Sequence, residues 1–393
     1  MSESIKIKVP KITVAGGRSR IEAEIEFPGK QIRTLWFECD QAYGEGLTAE
    51  TSDAFVISIL LPAMREGVDI VVEGGLSSKL YYNLTSYYVE LLAGLIRGLH
   101  KVRIEAKCLT RETWGGTGVL SGYSGGVDSF CTIFDHSLQV SPEYRTTHLL
   151  FNNVGSHGQT ARDPEIFLER FERLEKEARQ VLSMPLIAVN SNLDSFIQMN
   201  FQLTATLRNI AVALLFQRIC AKFLYSSSVH YRDSSATFNM PHADAIGVSL
   251  LSTETMECIS SGGQHTRFEK TEIVSTKPVT YHSLDVCVSP TDAKKINCSR
   301  CWKCLRTELS LEVIGLLRRY EPVFDLDRYR RYRWLHICDA LGSRDLYQAE
   351  IRAGMKKYKF STPLSARIAA ALIPNFVIRN ALWLWWRLER GKA

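Results

Sequence analysis

The sequence predicts an α/β protein built on a doubly wound parallel sheet. Between residues 118 and 228, short apolar stretches typical of buried strands alternate with longer stretches typical of helices. Strands joined by helices run parallel, and their ligands bind at the carboxyl ends, so the functional edge of the sheet can also be anticipated. The predicted strands are 118–124, 147–154, 185–192 and 222–228, and the predicted helices are 129–137, 163–182 and 205–223.

The chain before this sheet, residues 1–113, predicts a separate α+β domain. Apolar and polar residues alternate in three stretches separated by glycine and proline turn signals, a pattern typical of antiparallel strands with one wet face. These stretches are 5–14, 20–27 and 32–39, and they are followed by a helix at 53–64, a strand at 68–74, a helix at 79–99 and a strand at 102–109. Residues 114–286 form the predicted central domain, which begins in a glycine-rich linker.

The first strand of the central domain runs into the sequence Ser-Gly-Gly-Val-Asp-Ser, which opens a helix. Backbone N–H groups at a helix N-terminus can hold an anion, and glycines let it approach closely. Serine hydroxyls can donate hydrogen bonds to it, and the aspartate can hold Mg²⁺. No lysine follows the glycines, which excludes the common P-loop. The alternative is that this segment is a structural glycine turn without a ligand. The predicted phosphate-binding residues are Ser124, Gly125, Gly126, Val127, Asp128 and Ser129.

Polar residues also follow the other predicted strands. They are Asn152 and Asn153, residues 155–158, residues 190–192 and residues 226–228. Because the carboxyl ends of parallel strands share one edge, we expect these groups to serve one site. His157 is a candidate acid–base group because its ordinary pKa lies near neutrality. The alternative for each residue is a structural role, capping a helix or closing a turn.

The Ser-Gly-Gly-Val-Asp-Ser motif, between a strand and an apolar helix, resembles the pyrophosphate loop of the N-type ATP pyrophosphatases. The resemblance implies an adenine nucleotide alpha hydrolase-like fold and an enzyme that splits ATP into AMP and pyrophosphate while adenylating a substrate oxygen. In that family the next strand ends beside the adenine. Its position therefore makes Phe151, Asn152 and Asn153 the candidate base contacts.

Residues 233–277 are predicted to be rich in turns, and they supply two cations that the glycine loop lacks. These cations, Arg267 and Lys270, follow a Gly-Gly pair. Positive charge is needed where pyrophosphate leaves, because negative charge accumulates on the departing oxygens. Both residues are therefore candidate catalytic groups together with Ser124, Asp128 and Ser129, and the alternative is a pair of ordinary surface ion pairs.

Four cysteines form a second motif in residues 287–317. Two consecutive C-x-x-C steps join Cys298, Cys301 and Cys304, and Cys287 can return as the fourth ligand. Four thiolates satisfy the tetrahedral preference of Zn²⁺ and leave no open position, which indicates a structural site. An iron–sulfur cluster also accepts four cysteines, and the remaining alternative is four unrelated buried thiols.

The cysteine motif behind the pyrophosphatase loop is similar to that of the 7-cyano-7-deazaguanine synthases, in which the metal site closes the substrate pocket. Residues 305–307, Leu-Arg-Thr, continue the likeness. The resemblance covers residues 118–315. The gap between the first two cysteines is longer than expected for that family, and the N-terminal domain and the C-terminal tail have no counterpart in it.

The remaining segment, 318–393, predicts basic helices. The chain has 393 residues and a net charge of +6, and this segment carries 16 Lys and Arg against 7 Asp and Glu. Arginines beside tyrosines at 325–333 could stack on the bases of a nucleic acid, and the Trp-rich stretch 364–390 could lie on a membrane surface. The plainer alternative is that both pack on the protein itself.

The composition indicates the cellular compartment in which the protein is expected to function. The sequence contains no run of about 18 apolar residues, so no membrane span is predicted. The N-terminus lacks the pattern of a signal peptide. Ten cysteines without an export signal indicate thiols and metal ligands rather than disulfides. We therefore expect a cytoplasmic protein, and a homo-oligomer.

These features predict an ATP-dependent ligase that activates a carboxylate or amide as its adenylate, releases pyrophosphate and couples the product to ammonia or another amine. The expected cofactors are ATP, Mg²⁺ and Zn²⁺. The acid would be a small molecule or one borne on a carrier, from a biosynthetic or anti-phage pathway. One alternative is a tRNA-thiolating enzyme with the same loop, although Cys131 is expected to face the core. Another is a protein that binds a nucleotide without catalysis.

Overall fold

The computed structural model describes residues 4–156, 163–236, 239–288 and 295–390. The chain forms two compact units, each taken by itself below. The sheet unit consists of Met1–Tyr123 and Asp135–Gly263, and the helical unit of Ser124–Phe134 and Gln264–Ala393. The predicted anion loop and the cysteine cluster therefore belong to one unit, the helical one.

One sheet of eleven strands in the described residues makes up the centre of the sheet unit. Its order is β11-β10-β7-β8-β9-β4-β3-β1-β5-β6, with β2 beside β3. The strands are β1 (Ser4–Ile7), β2 (Lys11–Ala15), β3 (Arg18–Glu26), β4 (Arg33–Asp40), β5 (Asp69–Ser77), β6 (Ile104–Thr110), β7 (Gly118–Gly122), β8 (His148–Asn152), β9 (Leu186–Ser191), β10 (Cys220–Ser226) and β11 (Glu257–Ser261).

Five parallel strands occupy one half of this sheet in the order β9-β8-β7-β10-β11. The chain begins this half at β7, moves outward through β8 and β9, and then crosses to the other side of β7 to form β10 and β11. The order thus reverses between β7 and β10, and open α/β sheets bind ligands outside the strand ends at such a switch point. Gly122 ends β7, and Ser124, the first residue of the predicted loop, comes two residues later.

The N-terminal strands continue the same sheet. The antiparallel pair of β4 and β9, with Phe37 opposite Ser191, joins them to the parallel half. Burial alternates along β3, as the sequence pattern predicted. One apolar core includes both Ile5 of β1 and Phe223 of β10. As separate domains, the segments 1–113, 114–286, 287–317 and 318–393 stay a prediction.

The helices of the described residues fall in both units. They are α1 (Asp53–Glu66), α2 (Ser78–Asn83), α3 (Val89–Leu95), α4 (Val127–Asp135), α5 (Asp163–Glu177), α6 (Leu193–Phe196), α7 (Phe201–Ala213), α8 (Met240–Gly247), α9 (Arg267–Ser275), α10 (Thr280–Ser283), α11 (Trp302–Ile314), α12 (Leu326–Gly342), α13 (Leu346–Lys357), α14 (Leu364–Leu372) and α15 (Asn375–Arg390). Single π-helical turns, Leu84–Tyr88 and Ala178–Leu182, follow α2 and α5.

The interpretation of residues 233–277 as mostly turns was wrong, since α8, β11 and α9 lie there. The strand β11 is short and polar, and its pairing with β10, where Phe223 lies opposite Cys258, makes it a strand. A capping box starts α9: the Thr266 side chain accepts from the backbone of Glu269, whose carboxylate accepts from the backbone of Thr266. This reciprocal pair satisfies two N–H groups that the helix itself cannot.

The structure confirms the broad fold prediction, an α/β protein with a mostly parallel sheet and a helical C-terminal region. The more specific adenine nucleotide alpha hydrolase-like fold stays a prediction. Across the ranges that the structure describes, no helix combines the length and the apolar composition that a membrane crossing requires.

Candidate functional site

The glycine loop is a tight turn held by its own hydrogen bonds. Gly125 has a φ of +71°, in the region that favours glycine. A Cβ on Gly126 would come within 3.3 Å of the Ser124 hydroxyl and 3.5 Å of the carbonyl of Asp285. The Ser129 hydroxyl donates to the carbonyl of Gly126 at 3.0 Å, and the N–H of Asp285 donates to that of Gly125 at 2.8 Å. Ser129 therefore shapes the loop, whereas the exposed Ser124 is open to a ligand.

The loop leads into α4, whose first turn carries Asp128 against two cations from α9. Val127, the first residue of α4, is buried and anchors the helix start. Arg267 Nη2 lies 2.5 Å from Asp128 Oδ2, and Lys270 Nζ lies 3.3 Å from Asp128 Oδ1. The two cations are three residues apart on one helix face, so both reach the same carboxylate. The structure thus brings together three residues that the sequence predicted separately.

Burial alone would raise the pKa of Asp128, but nearby positive charge holds it below its ordinary value. The largest contributions come from Arg267 and Lys270, and further ones come from Arg306 and Lys303. Asp128 is therefore ionised at neutral pH. Its single negative charge faces four positive ones.

Lys303 and Arg306 of α11 complete this cation cluster, defined as Arg267, Lys270, Lys303 and Arg306. Burial lowers the pKa of Lys303 to about 8, and the charges of Arg267 and Arg306 act in the same direction. Burial and Arg267 likewise lower the pKa of Arg306 to about 10. Both shifts show that positive charge is crowded here. The sequence interpretation gave these two residues no role.

Part of the cation cluster has nitrogen atoms that no described residue satisfies. Lys270 is 1% exposed and Arg306 is 5% exposed. Among the described residues, Arg267 Nε and the Nε and Nη1 atoms of Arg306 have no hydrogen-bond partner. The carboxylate of Glu350 accepts the backbone N–H of Arg267 at 2.8 Å and adds one more negative charge. The four cations of the cluster, of which Lys270 and Arg306 are buried, are suited to a bound polyanion.

The cysteine motif forms a compact metal-binding cluster in the same unit. The Sγ atoms of Cys287, Cys298, Cys301 and Cys304 all lie within 4.8 Å of one another, and all four residues are buried. Cys304 Sγ lies 3.8 Å from that of Cys298 and 3.4 Å from that of Cys301. One ion bonded to four sulfurs at about 2.3 Å holds them about 3.8 Å apart. The cluster could therefore bind a metal such as zinc, as the spacing predicted.

Local structure prepares these thiols for a metal. The N–H of Cys301 donates to Cys298 Sγ at 3.3 Å, and Cys301 precedes the first turn of α11. Hydrogen bonds among the four thiols lower the pKa of Cys298 and Cys301, whereas the pKa values of Cys287 and Cys304 are raised, the first mainly by those bonds and the second mainly by burial. Ser299, with a φ of +51°, turns the chain between the cysteines, and its hydroxyl accepts the N–H of Asp325 at 2.8 Å. The thiolate is the form that ligates metals.

The candidate base contacts lie in the sheet unit, and their side chains make structural contacts there. Phe151 is buried and stacks on Phe167, with the ring centroids 5.1 Å apart. The side-chain amide of Asn152 donates to Asn209 at 3.1 Å. That of Asn153 donates to Asn190 at 2.8 Å. These contacts favour the structural alternative for the side chains; adenine contact stays a prediction. His157 lies outside the described residues.

No protein-family profile matches this chain, and neither does any curated protein or solved structure.

Proposed function

We propose that the protein is an ATP-dependent ligase that adenylates a carboxylate or amide oxygen, releases pyrophosphate and couples the product to an amine. One observation carries the proposal: four cations, of which Lys270 and Arg306 are buried, gather at the first turn of α4, directly after the glycine loop. A polyphosphate supplies the negative charge that this cluster lacks.

Each part of the cluster has a distinct role in this proposal. The loop glycines and the first N–H groups of α4 cradle the β- and γ-phosphates, with the Ser124 hydroxyl as a further donor. Arg267 and Lys270 neutralise the charge that develops on the departing pyrophosphate. Asp128 holds these two cations in place before the nucleotide binds, because each of its carboxylate oxygens faces one of them.

The chemistry requires two displacements. An oxygen of the substrate carboxylate forms a bond to the α-phosphorus, the bond to the bridging oxygen breaks, and pyrophosphate leaves with that electron pair. The nitrogen of ammonia or an amine then bonds to the carbonyl carbon. AMP leaves with the electrons of the C–O bond, and the nitrogen releases a proton to solvent. Holding both reactants together supplies much of the acceleration.

Mg²⁺ at Asp128 does not fit the observed arrangement. Both oxygens of the carboxylate already face cations, so a divalent ion would have to displace Arg267 or Lys270. We therefore derive no step through a metal at this residue. The Mg²⁺ requirement stays a prediction.

The residues of the cysteine cluster fit a zinc ion that is structural in this proposal. Four thiolates would complete its coordination, and the bound ion would supply rigidity rather than Lewis-acid chemistry. Cys301 and Cys304 flank the first turn of α11, and the same helix carries Lys303 and Arg306. Holding the start of α11 therefore fixes half of the cation cluster.

The thiolase alternative gains no support from α4. Its only cysteine, Cys131, is fully buried, as the sequence analysis expected. A nucleophilic thiol must be accessible to its substrate. We therefore keep the ligase as the proposed function.

Product analysis tests the proposal. The full-length chain is incubated with ATP, Mg²⁺, ammonium and a panel of carboxylic acids, and the nucleotide products are separated by anion-exchange chromatography. AMP and pyrophosphate that depend on an added acid support the proposal. Their formation should be lost in Arg267→Met and Lys270→Met and kept in Lys277→Met, which changes an exposed lysine just beyond α9. ADP and phosphate as products, or ATP binding without any turnover across the panel, would overturn it.

A further inference from the structure

The helical unit encloses a cavity of about 730 Å³ that the proposed nucleotide site does not explain. Its size lies within the range of small-molecule pockets, about 300–1,000 Å³. The wall is formed by α11 and by the C-terminal helices α12, α13 and α15. These last three lie in the segment that has no counterpart in the family that the sequence resembles.

Most of the cavity wall is apolar or aromatic. Trp302 and Leu305 of α11 form one side, Tyr347 of α13 another, and Leu382 and Trp383 of α15 a third. Such a surface favours the apolar body of a ligand, because burying it removes apolar area from water.

A few buried polar atoms in the wall lack partners. Arg306 Nε and Nη1, His336 Nε2 and Gln348 Oε1 make no hydrogen bond with any residue that the structure describes. His336 is 3% exposed and Gln348 is 6% exposed. A buried polar atom without a partner destabilises the folded protein, so these atoms are expected to meet a ligand. They offer a guanidinium at one place and hydrogen-bond acceptors at another.

The acidic residues of the wall are already used by the protein. Asp339 accepts from Gln348 Nε2 at 2.7 Å and from Arg379 Nε at 3.0 Å. Asp345 caps α13 by accepting the N–H of Tyr347 at 3.0 Å. The guanidinium of Arg306 is stacked on Tyr347, 4.1 Å from the ring centroid, and two of its nitrogens have no hydrogen-bond partner among the described residues. Arg300 and Arg379 also line the wall, and Arg379 is paired with Asp339.

We propose that this cavity binds a small organic acid whose carboxylate pairs with Arg306, whose apolar body packs on Trp302 and Leu382, and whose N–H or O–H group donates to Gln348. Arg306 belongs both to this wall and to the cation cluster around Asp128. The carboxylate would thus lie on the side of the cavity nearest the glycine loop. Identifying this acid as the one that is adenylated rests on the proposed function; the binding itself does not.

Binding without nucleotide provides the first test. Benzoate is the probe, benzamide is its neutral counterpart, and isothermal titration with the full chain gives both affinities. Loss of a charge-assisted hydrogen bond, about 1.5–3 kcal/mol, corresponds to at least about a tenfold loss of affinity. We therefore expect benzamide to bind the native chain at least about tenfold more weakly than benzoate, and benzoate to bind Arg306→Gln with the same loss. Equal affinities for acid and amide, or no benzoate binding at millimolar concentration, would overturn the proposal.

Two matched pairs of variants locate the site. Leu382→Trp adds bulk to the cavity wall and should abolish benzoate binding, whereas Leu384→Trp, at an exposed position of the same helix, should not change it. Arg330→Gln changes an exposed arginine of α12 and is the control for Arg306→Gln. Unchanged benzoate affinity in Leu382→Trp would contradict the assignment, provided that its circular dichroism matches that of the native chain.

The ATP assay separates this proposal from the proposed function. Benzoate binding that Leu382→Trp abolishes, in a chain that releases no AMP, would support the cavity site and contradict the ligase. AMP formation whose KM for the acid is unaltered by Leu382→Trp would support the ligase and contradict the identification of the cavity as the site of the adenylated acid.

Discussion

Arg267 Nη2 lies 2.5 Å from Asp128 Oδ2, and this ion pair links the helix that follows the glycine loop to a helix 140 residues later in the chain. Lys270 shares the same carboxylate and is almost wholly buried. The pair thus fixes two cations where a buried positive charge would otherwise be costly. Asp128 has a structural role even before a nucleotide binds.

Replacing Asp128 by Asn should destabilise the free protein strongly. Arg267 and Lys270 would remain buried without their shared carboxylate, at a cost of about 3–5 kcal/mol. Urea denaturation measures the change in the free energy of unfolding. The double variant Asp128→Asn/Lys270→Met should recover part of the loss, because one unpaired cation is removed with its partner. Equal stability of Asp128→Asn and the native chain would contradict this role.

Arg306→Gln should stabilise the free protein while it abolishes function. Arg306 is buried near Arg267 and Lys303, and two of its nitrogens have no partner among the described residues. Removing an uncompensated charge relieves repulsion and desolvation, and we expect a gain of about 1–3 kcal/mol in the free energy of unfolding. Thermal and urea denaturation should both show it, and Arg330→Gln should have no effect. A loss of stability in Arg306→Gln would mean that its stacking on Tyr347 outweighs its charge.

Removal of the metal should unfold the start of α11 and weaken pyrophosphate binding. Cys301 caps α11 and Cys304 lies in its first turn, and the same helix carries Lys303 and Arg306, so a metal bound there would position part of the phosphate site. Elemental analysis should find one equivalent of zinc in the native chain and none in Cys304→Ser, whereas Cys108→Ser, at an exposed position, should keep it. Pyrophosphate affinity measured by calorimetry should fall in Cys304→Ser only. A brown protein with iron and sulfide would instead indicate an iron–sulfur cluster.

Local patterns explain which parts of the molecule could be predicted. The spacing of the four cysteines encodes the metal cluster almost completely, because three ligands fall within seven residues. Apolar runs in the sequence predicted the bounds of the strands β7 to β10 to within a few residues. The polar strand β11 was missed because only its pairing with β10 makes it a strand. The capping box at Thr266 was a readable signal for α9 that the turn-rich composition obscured.

The contacts within the cation cluster could not be predicted from the sequence. Arg267 and Lys270 were predicted from the need for positive charge, but their shared contact with Asp128 depends on tertiary structure. Lys303 and Arg306 stand beside the cysteines, where a charged residue ordinarily suggests solvent exposure. Only their electrostatic effect on Asp128 reveals a common role.

Asp244 in the sheet unit should make stability fall as the pH rises. Burial raises the pKa of this carboxyl to about 7, although the Thr206 hydroxyl donates to it at 2.7 Å. The unfolded chain releases the proton near pH 4 and the folded chain only near pH 7, so stability is lost between these values and stays low above them. Asp244→Asn keeps an acceptor for Thr206 and removes the titration. Between pH 5 and pH 8, the free energy of unfolding of the native chain should therefore fall by about 2–3 kcal/mol relative to the variant. Urea denaturation of both chains at the two pH values measures this difference, and parallel pH dependence of the two would show that Asp244 is ionised in the folded protein throughout.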